Sequence, residues 1–345
     1  YNPGGIWEIS LPGDSLPAGT EYHYECWKDG RRVRREWRNH TIPASKGKSL
    51  EMNDIWTDIP AAAPFYTSAF ADKVFAIDQD SPRFKVNAEV LERPSGLELI
   101  EKTESDVGKV RMYRTAAGDW WLEMSYTDID HYMSVAEDFS EASADIDLND
   151  PDAGMVLCSM LRIMWSQAVL ALGGISVHAS AVVLGGVAYL FLGKSGTGKS
   201  THSELWLRNF REAWLLNDDN PAIRIIGGKA FAYGTPWSGK KPVYIYKKVP
   251  LGGIVRLEQS QENRMTLKEG LDAFLCIYPS CSALHRDPMQ ENRLCDTLEI
   301  LSESVAVGFM ECRPDDKAAI ICHETILKDN PVASGTSEAA DVTQT

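Results

Sequence analysis

The sequence predicts an α/β protein organised around one glycine-rich loop, preceded by a partial all-β segment. Three observations predict it. Gly193-Lys194-Ser195-Gly196-Thr197-Gly198-Lys199-Ser200 fits the phosphate-cradling pattern G-x-x-x-x-G-K-[ST] at every fixed position. An apolar run, Val187-Ala188-Tyr189-Leu190-Phe191-Leu192, precedes the loop, and a helical stretch from Ser200 to Phe210 follows it, with Leu205 and Trp206 among its apolar positions. Strand, loop and helix in that order are what the chemistry of such a loop requires. Finally, residues 1 to about 79 read as short alternating strands with turn signals and many aromatics, unlike the rest of the chain.

The chain has 345 residues, enough for two domains and a sizeable core. Apolar residues make up 44% and charged residues 24%, the balance of an ordinary globular protein. A net charge of −14 argues against nucleic acid or an anionic membrane as partner. Seven cysteines with no C-x-x-C pair read as reduced, mostly buried thiols and a cytoplasmic protein. No signal peptide is visible after Tyr1.

In order along the chain, Trp7 to Leu11 and Glu21 to Trp27 alternate like strands, with Leu16-Pro17-Ala18-Gly19 as turn material between them. Asp29-Gly30 predicts a hairpin that continues through Val33 to Trp37. Short strands are expected at Phe84–Val90, Leu97–Ile100, Val110–Tyr113 and Trp120–Tyr126. Trp121 to Asp152 carries ten acidic residues and no Lys or Arg, which reads as a solvated surface with a loop around Ser140 to Pro151. Met155 to Leu172 is the most apolar helix; Arg162, Gln167 and its short length make it a core helix rather than a membrane span. It should stop at Gly173-Gly174. Ser176 to Leu184 reads as one strand, turned by Gly185-Gly186 into the strand before the loop. After the loop helix come a strand at Ala213–Asn217 ending in Asp218-Asp219, and a hairpin, Ala222–Ile226 and Lys229–Tyr233, turned by Gly227-Gly228. Helices are expected at Thr266–Ile277, Gln290–Ser302 and Asp315–Leu327, with a strand at Val305–Glu311, and the polar tail from residue 329 reads as disordered. The expected domains are therefore 1–79, 80–150 and 151–328, with a tail at 329–345.

The N-terminal piece carries one resemblance. Trp7-Glu8-Ile9-Ser10-Leu11, Glu21-Tyr22-His23-Tyr24, Arg34-Arg35-Glu36-Trp37 and Phe65-Tyr66-Thr67-Ser68-Ala69-Phe70 resemble the later strands of a starch-binding β-sandwich module and the segment that follows it in bacterial 4-α-glucanotransferases. The resemblance spans about 70 residues, and the opening strands of such a module would precede Tyr1. It implies that Trp37 stacks on a glucan ring, with Asn39 a weaker carry-over; core packing is the competing role for Trp37. The cluster Arg31, Arg32, Arg34, Arg35 and Arg38 reads as a solvated strand face, because Glu36 interrupts it and the chain is acidic.

The chemistry is expected at the loop. Its backbone N–H groups and the following helix N-terminus should cradle a polyphosphate. Lys199 would reach the outer phosphates and Ser200 would hold Mg²⁺. Asp218-Asp219, at the end of the next strand, would supply a metal ligand and a proton acceptor for an attacking hydroxyl. His178-Ala179-Ser180-Ala181, then Phe191 through Thr201, then Leu216-Asn217-Asp218-Asp219 resemble the HPr kinase/phosphorylase and phosphoenolpyruvate carboxykinase superfamily in motif type, order and spacing. That resemblance covers Arg83 to Leu327 and is specific from about His178 to Lys240. It implies a mixed-sheet P-loop domain in which the strand before the loop belongs to a hairpin. It also implies Asp218 as general base, Asp219 and Ser200 as metal ligands, and His178 near the transferred phosphate or metal. Thr235-Pro236-Trp237-Ser238-Gly239-Lys240 resembles a loop in kinase-like relatives, where Lys240 and Lys241 are exposed or face phosphate.

The resulting expectation is an ATP- and Mg²⁺-dependent kinase acting on a hydroxyl, of serine in a protein or peptide or of a small molecule. Alternatives are a nucleotide-binding sensor without transfer, phosphoenolpyruvate carboxykinase-like activity, and glucan binding by the N-terminal piece. Two departures weigh on these. Asn220 stands where HPr kinases carry an arginine, and no segment matches the one they use for the phosphorylase reaction, which argues against HPr as acceptor. About 100 residues between Gln79 and His178 are too few for the large N-terminal domain of a carboxykinase. The superfamily resemblance also implies a homo-oligomer.

Overall fold

The structure, a computed structural model, describes residues 21–22, 25–28, 31–35, 40–41, 85–105, 108–239, 243 and 245–328. Trp37, Asn39, Arg38, Lys240, Lys241, the strand expected at Trp7–Leu11 and the tail from residue 329 lie outside them. The chain divides into two compact units, Tyr1–Phe65 and Tyr66–Thr345. In the first, β1 (Glu21–Tyr22) pairs with β4 (His40–Thr41), and β2 (Glu25–Lys28) pairs with β3 (Arg31–Arg35), both antiparallel. Lys28 faces Arg31 across Asp29-Gly30, the register that a two-residue turn dictates.

The second unit is mixed α/β, with sheets of mixed orientation. Its first sheet has six strands: β5 (Lys85–Ala88), β6 (Glu98–Ser105), β7 (Gly108–Arg114), β8 (Trp120–Ser125), β9 (His131–Val135) and β10 (Glu141–Asp145), in the order β5-β10-β9-β8-β7-β6. All neighbours are antiparallel except β5 and β10. The acidic stretch is solvated at Asp128, Asp130, Glu137, Asp138, Glu141 and Asp147, but it also builds β8 to β10, whose apolar residues pack into the core. Its expected loop contains β10, where Glu141 is exposed while Ala142 and Ala144 are buried. Alanine and serine alternate too weakly in polarity to announce a strand, and the carboxylates cluster at turns and strand ends.

Helix α1 (Ala153–Ala168) lays Val156, Met160, Leu161, Met164 and Trp165 on this sheet, against Trp120, Leu122, Met124, Met133 and Val135. A 3-10 turn, Val169–Leu172, ends it at Gly173 in a left-handed conformation. By length and composition Ala153–Leu172 could cross a membrane, with mean hydropathy 1.6, yet 56% of it is buried within the protein.

The second sheet has nine strands: β11 (Gly174–Ser176), β12 (Ala179–Leu184), β13 (Val187–Leu192), β14 (Trp214–Asn217), β15 (Ala222–Ile226), β16 (Lys229–Tyr233), β17 (Lys248–Gln259), β18 (Arg264–Lys268) and β19 (Ala306–Cys312). The path runs β11-β15-β16-β17-β13-β12-β14, with β19 on β17 and β18 on β19. β13 and β19 run parallel to β17; the other pairs are antiparallel. The helices are α2 (Lys199–Asn209), α3 (Gly270–Ile277), α4 (Pro288–Ser304) and α5 (Asp316–Lys328).

The alternation of β13 shows why the layers form. Ala188, Leu190 and Leu192 enter a core with Ala273, Ile277, Leu294 and Leu298 of α3 and α4. Val187, Tyr189 and Phe191 enter another with Leu205 and Trp206 of α2 and Ala319 and Ile326 of α5. A strand buried on both faces reads as a continuous apolar run, and burying each such large side chain contributes about 2 kcal/mol.

In the second sheet and its helices, further elements differ from expectation. Ser176–Leu184 is not one strand: Val177 makes an isolated bridge to Cys281, and His178 sits at the break between β11 and β12. Thr266–Ile277 is not one helix: Arg264–Lys268 pairs with β19 before α3 begins at Gly270. No strand is predicted over β17, whose Pro250 and Gly252-Gly253 break the pattern. Pro250 nevertheless keeps its place opposite Phe231. Gly253 is required by close packing, since a Cβ there would lie 2.6 Å from Ile326 Cγ1 and 3.3 Å from the Tyr189 ring.

Candidate functional site

The loop leaves β13 at Gly193 and enters α2 at Lys199. Gly196 and Gly198 hold φ of 79° and 103°, values a side chain would oppose. Thr197 braces the turn from inside, its Oγ1 donating to Lys194 O at 2.6 Å. Gly198 caps α2 without any side-chain hydrogen bond, so the first N–H groups of the helix remain available to an anion. Trp206 anchors that helix, with its ring 5.0 Å from Tyr189, 5.2 Å from Phe191 and 5.2 Å from Phe210. Its Nε1 donates to His202 Nε2 at 3.2 Å, and burial pushes His202 down to about 4, so the ring stays neutral.

Lys199 folds back over the loop. Its Nζ donates to Gly193 O at 3.0 Å and Lys194 O at 3.4 Å, and lies 2.9 Å from His178 Nε2. Burial pulls its pKa down, while Asp219 and Asp218 push it back up. The break between β11 and β12 sets His178 in place: its N–H donates to Ser280 O at 2.7 Å, and the next N–H, of Ala179, donates to Asp219 O at 3.0 Å. His178 Nδ1 lies 3.4 Å from Asp219 Oδ1, and Arg162 Nη1 of α1 lies 3.7 Å from Asp219 Oδ2. Burial opposes ionisation of Asp219, but His178, Arg162 and Lys199 together hold its carboxyl below the usual range.

Asp218 is buried beside it. Its Oδ1 accepts from Ser180 Oγ at 2.7 Å, and Ser180 Oγ accepts from Ser203 Oγ of α2 at 2.6 Å, tying the carboxylate to the loop helix. Asn217 shapes the turn: its Oδ1 accepts from the N–H groups of Asp219 (2.9 Å) and Asn220 (2.8 Å). Its Nδ2 donates to Trp237 O at 3.0 Å, so the Thr235–Gly239 loop lies under the aspartate pair. Gly239 packs closely enough that a Cβ would come 2.9 Å from Asp218 O.

A cleft of about 600 Å³ opens on the other side of the loop, between Gly198, Thr201 and Leu205 and, opposite them, Gln259, Cys312 and Arg313. Gln259 Nε2 donates to Gly196 O at 3.1 Å across it.

The predicted residues Lys199, His178, Asp218 and Asp219 therefore converge at the mouth of the loop, and Ser200 and Thr201 are exposed on the first turn of α2. Arg162, Ser180, Ser280, Arg256 and the cleft residues are additions. A signal existed for one of them, since Arg162 is the single charge inside an apolar core helix. Ser180 lies inside the His178–Ala181 segment, while Ser280, Arg256, Gln259, Cys312 and Arg313 come from segments without any motif.

No family model matches the sequence, and no curated protein matches it. Among solved structures, the chain is similar to the Hpr(Ser) kinase/phosphatase from Coxiella burnetii, at 12% identity and a TM-score of 0.27, over 44% of this chain and 97% of that one.

Proposed function

We propose that this chain is an ATP-dependent kinase, transferring a γ-phosphoryl group to an acceptor hydroxyl on a P-loop scaffold like that of the HPr kinase and phosphoenolpyruvate carboxykinase superfamily. The observation that carries this reading is the convergence of Lys199, His178, Asp218 and Asp219 at the mouth of a glycine-rich loop that opens a helix. The loop N–H groups, from Gly193 to Thr201, receive the phosphates, and the cleft toward Arg313 receives the nucleoside. Lys199 moves from its carbonyls to the phosphate oxygens. Asp218 takes the acceptor's proton as its oxygen bonds to the γ-phosphorus; the bond from that phosphorus to the β–γ bridging oxygen breaks, and its electron pair leaves with ADP. Catalysis is then mostly positioning and charge neutralisation.

The residues fit Mg²⁺. Ser200 is exposed and its hydroxyl makes no hydrogen bond among the described residues, while Asp219 is held ionised, a hard oxygen donor set. Mg²⁺, when bound there, neutralises phosphate charge. On this reading residues 151–328 are the kinase-like domain and 80–150 its β-rich part. Residues 1–79 are a starch-binding-like fragment with Trp37 as sugar contact.

Labelled ATP supplied with an acceptor extract tests the proposal. Lys199→Ala should lose transfer and ATP affinity together, by about 100-fold or more. Asp218→Asn should keep ATP binding and lose transfer by about 100-fold. Unchanged affinity and transfer in Lys199→Ala would sink the assignment. ATP binding with no transfer from the unaltered protein would make it a sensor.

A further inference from the structure

Two arginines border this site, and neither has a carboxylate within hydrogen-bonding distance among the described residues. Arg162 approaches Asp219 only to 3.7 Å and makes no hydrogen bond among those residues. Arg256 stands near the carboxyl end of β17, which is parallel to β13, and its register partner is Leu192, the residue before the loop. Ligands of open α/β sheets sit beyond those strand ends. The Arg256 guanidinium spends two donors on neutral oxygens: Nε on Cys276 O at 2.5 Å and Nη2 on Ser280 Oγ at 3.0 Å. Ser280 in turn holds His178 through its carbonyl. Arg162, Asp219, His178, Ser280 and Arg256 thus form one line of contacts past Lys199.

The charges in this line do not balance. Lys199, Arg162 and Arg256 are three cations against the carboxylates of Asp218 and Asp219. Burial lowers the pKa of Arg256, and Arg256 in turn is among the groups that lower Lys199. A half-buried guanidinium without an anion is costly, and its planar fork matches a carboxylate or a phosphate.

We infer that the acceptor is itself an anion: a small hydroxyl compound bearing a carboxylate or phosphate, which Arg162 and Arg256 hold while its hydroxyl faces Asp218. This deepens the kinase reading and rests on it. The competing role for Arg256 is structural, joining β17 to the end of α3. Arg162 makes no hydrogen bond among the described residues, and its contact there is the 3.7 Å approach to Asp219.

Direct binding separates these. The protein is first titrated with Mg²⁺ and a non-hydrolysable ATP analogue. Failure to bind the analogue would remove the kinase reading, and this inference with it. The saturated protein, its γ-position filled, is then titrated calorimetrically with glycerate, glycerol 1-phosphate and glycerol; the first two distinguish a carboxylate from a phosphate. At least one anion should bind ten-fold or more tightly than glycerol. Arg162→Gln and Arg256→Gln should each weaken that anion ten-fold or more, with analogue affinity measured alongside, and Arg256→Lys should recover part of the loss. If Arg256→Gln fails to fold, Arg162→Gln alone decides. Analogue binding with no anion binding, glycerol binding as tightly as the anions, or anion binding indifferent to the substitutions would overturn the inference.

Discussion

Two histidine–aspartate pairs lie in different regions of the second unit and behave as opposites. In the six-stranded sheet, His131 Nε2 is 2.8 Å from Asp150 Oδ2, and both side chains are 0% exposed. His131 Nδ1 accepts from Asp147 N at 3.2 Å, and Asp150 Oδ1 accepts from Asp152 N at 2.9 Å. These partners assign the proton to Nε2. Every polar atom of that pair is used within the chain, and the pair clamps the turn that leads into α1. At the loop, His178 Nε2 faces the Lys199 ammonium, so the proton belongs on Nδ1, toward Asp219. Its contact with Asp219 is long at 3.4 Å, its side chain is 40% exposed, and the Lys199 ammonium stands 2.9 Å from its other nitrogen. Identical residue types therefore make a fastener where both side chains are buried and closely paired, and an accessible centre where the pair is looser and open to solvent.

The largest expected effect tests that contrast directly. His131→Ala should destabilise the fold by about 3–5 kcal/mol, because it strands the Asp150 charge in the interior. His178→Ala should cost under about 1 kcal/mol in the same urea titration, while transfer falls by about 100-fold. Equal losses of stability would erase the distinction between the pairs. Next in size is Gly253→Ala, which forces Ile326 and Tyr189 apart and should cost about 1–3 kcal/mol. A variant as stable as the parent would show that α5 yields freely.

Acid sharpens the comparison further. Burial alone would raise the Asp150 carboxyl, but the Asp152 N–H and His131 hold it below its ordinary value. A carboxyl depressed in the folded state contributes stability that is fully present above the unfolded value, near pH 4. That contribution fades as pH falls through the lower folded value. The urea midpoint should therefore drop below about pH 4, and Asp150→Asn should flatten the drop; an unchanged slope would contradict the clamp. The smallest effect is Thr235→Val. It removes the hydroxyl that donates to Asn220 O at 2.6 Å and should cost about 1 kcal/mol by thermal melting.

The site was legible in sequence wherever one short segment performs the whole task. Gly193 to Ser200 must supply its own turns and donors, so its pattern is local, and the Gly185-Gly186 and Gly227-Gly228 hairpins announce themselves for the same reason. What assembles through tertiary packing was not legible. Arg162, Ser280 and Arg256 come from a core helix, a 3-10 turn and an unforeseen strand, and nothing in their spacing links them. β10 was hidden because alanine and serine barely alternate in polarity. β17 was hidden because its proline and glycines serve neighbours rather than propensity.

The posture of Lys199 has a consequence of its own. Its ammonium is held by the carbonyls of Gly193 and Lys194 and touches His178, so the loop's own oxygens already satisfy the charge. On the proposed kinase reading, phosphate oxygens would have to displace those carbonyls, exchanging one set of hydrogen bonds for another instead of adding bonds to a bare ammonium. The carbonyls would then compete with the ligand for the lysine, which would moderate affinity and ease release.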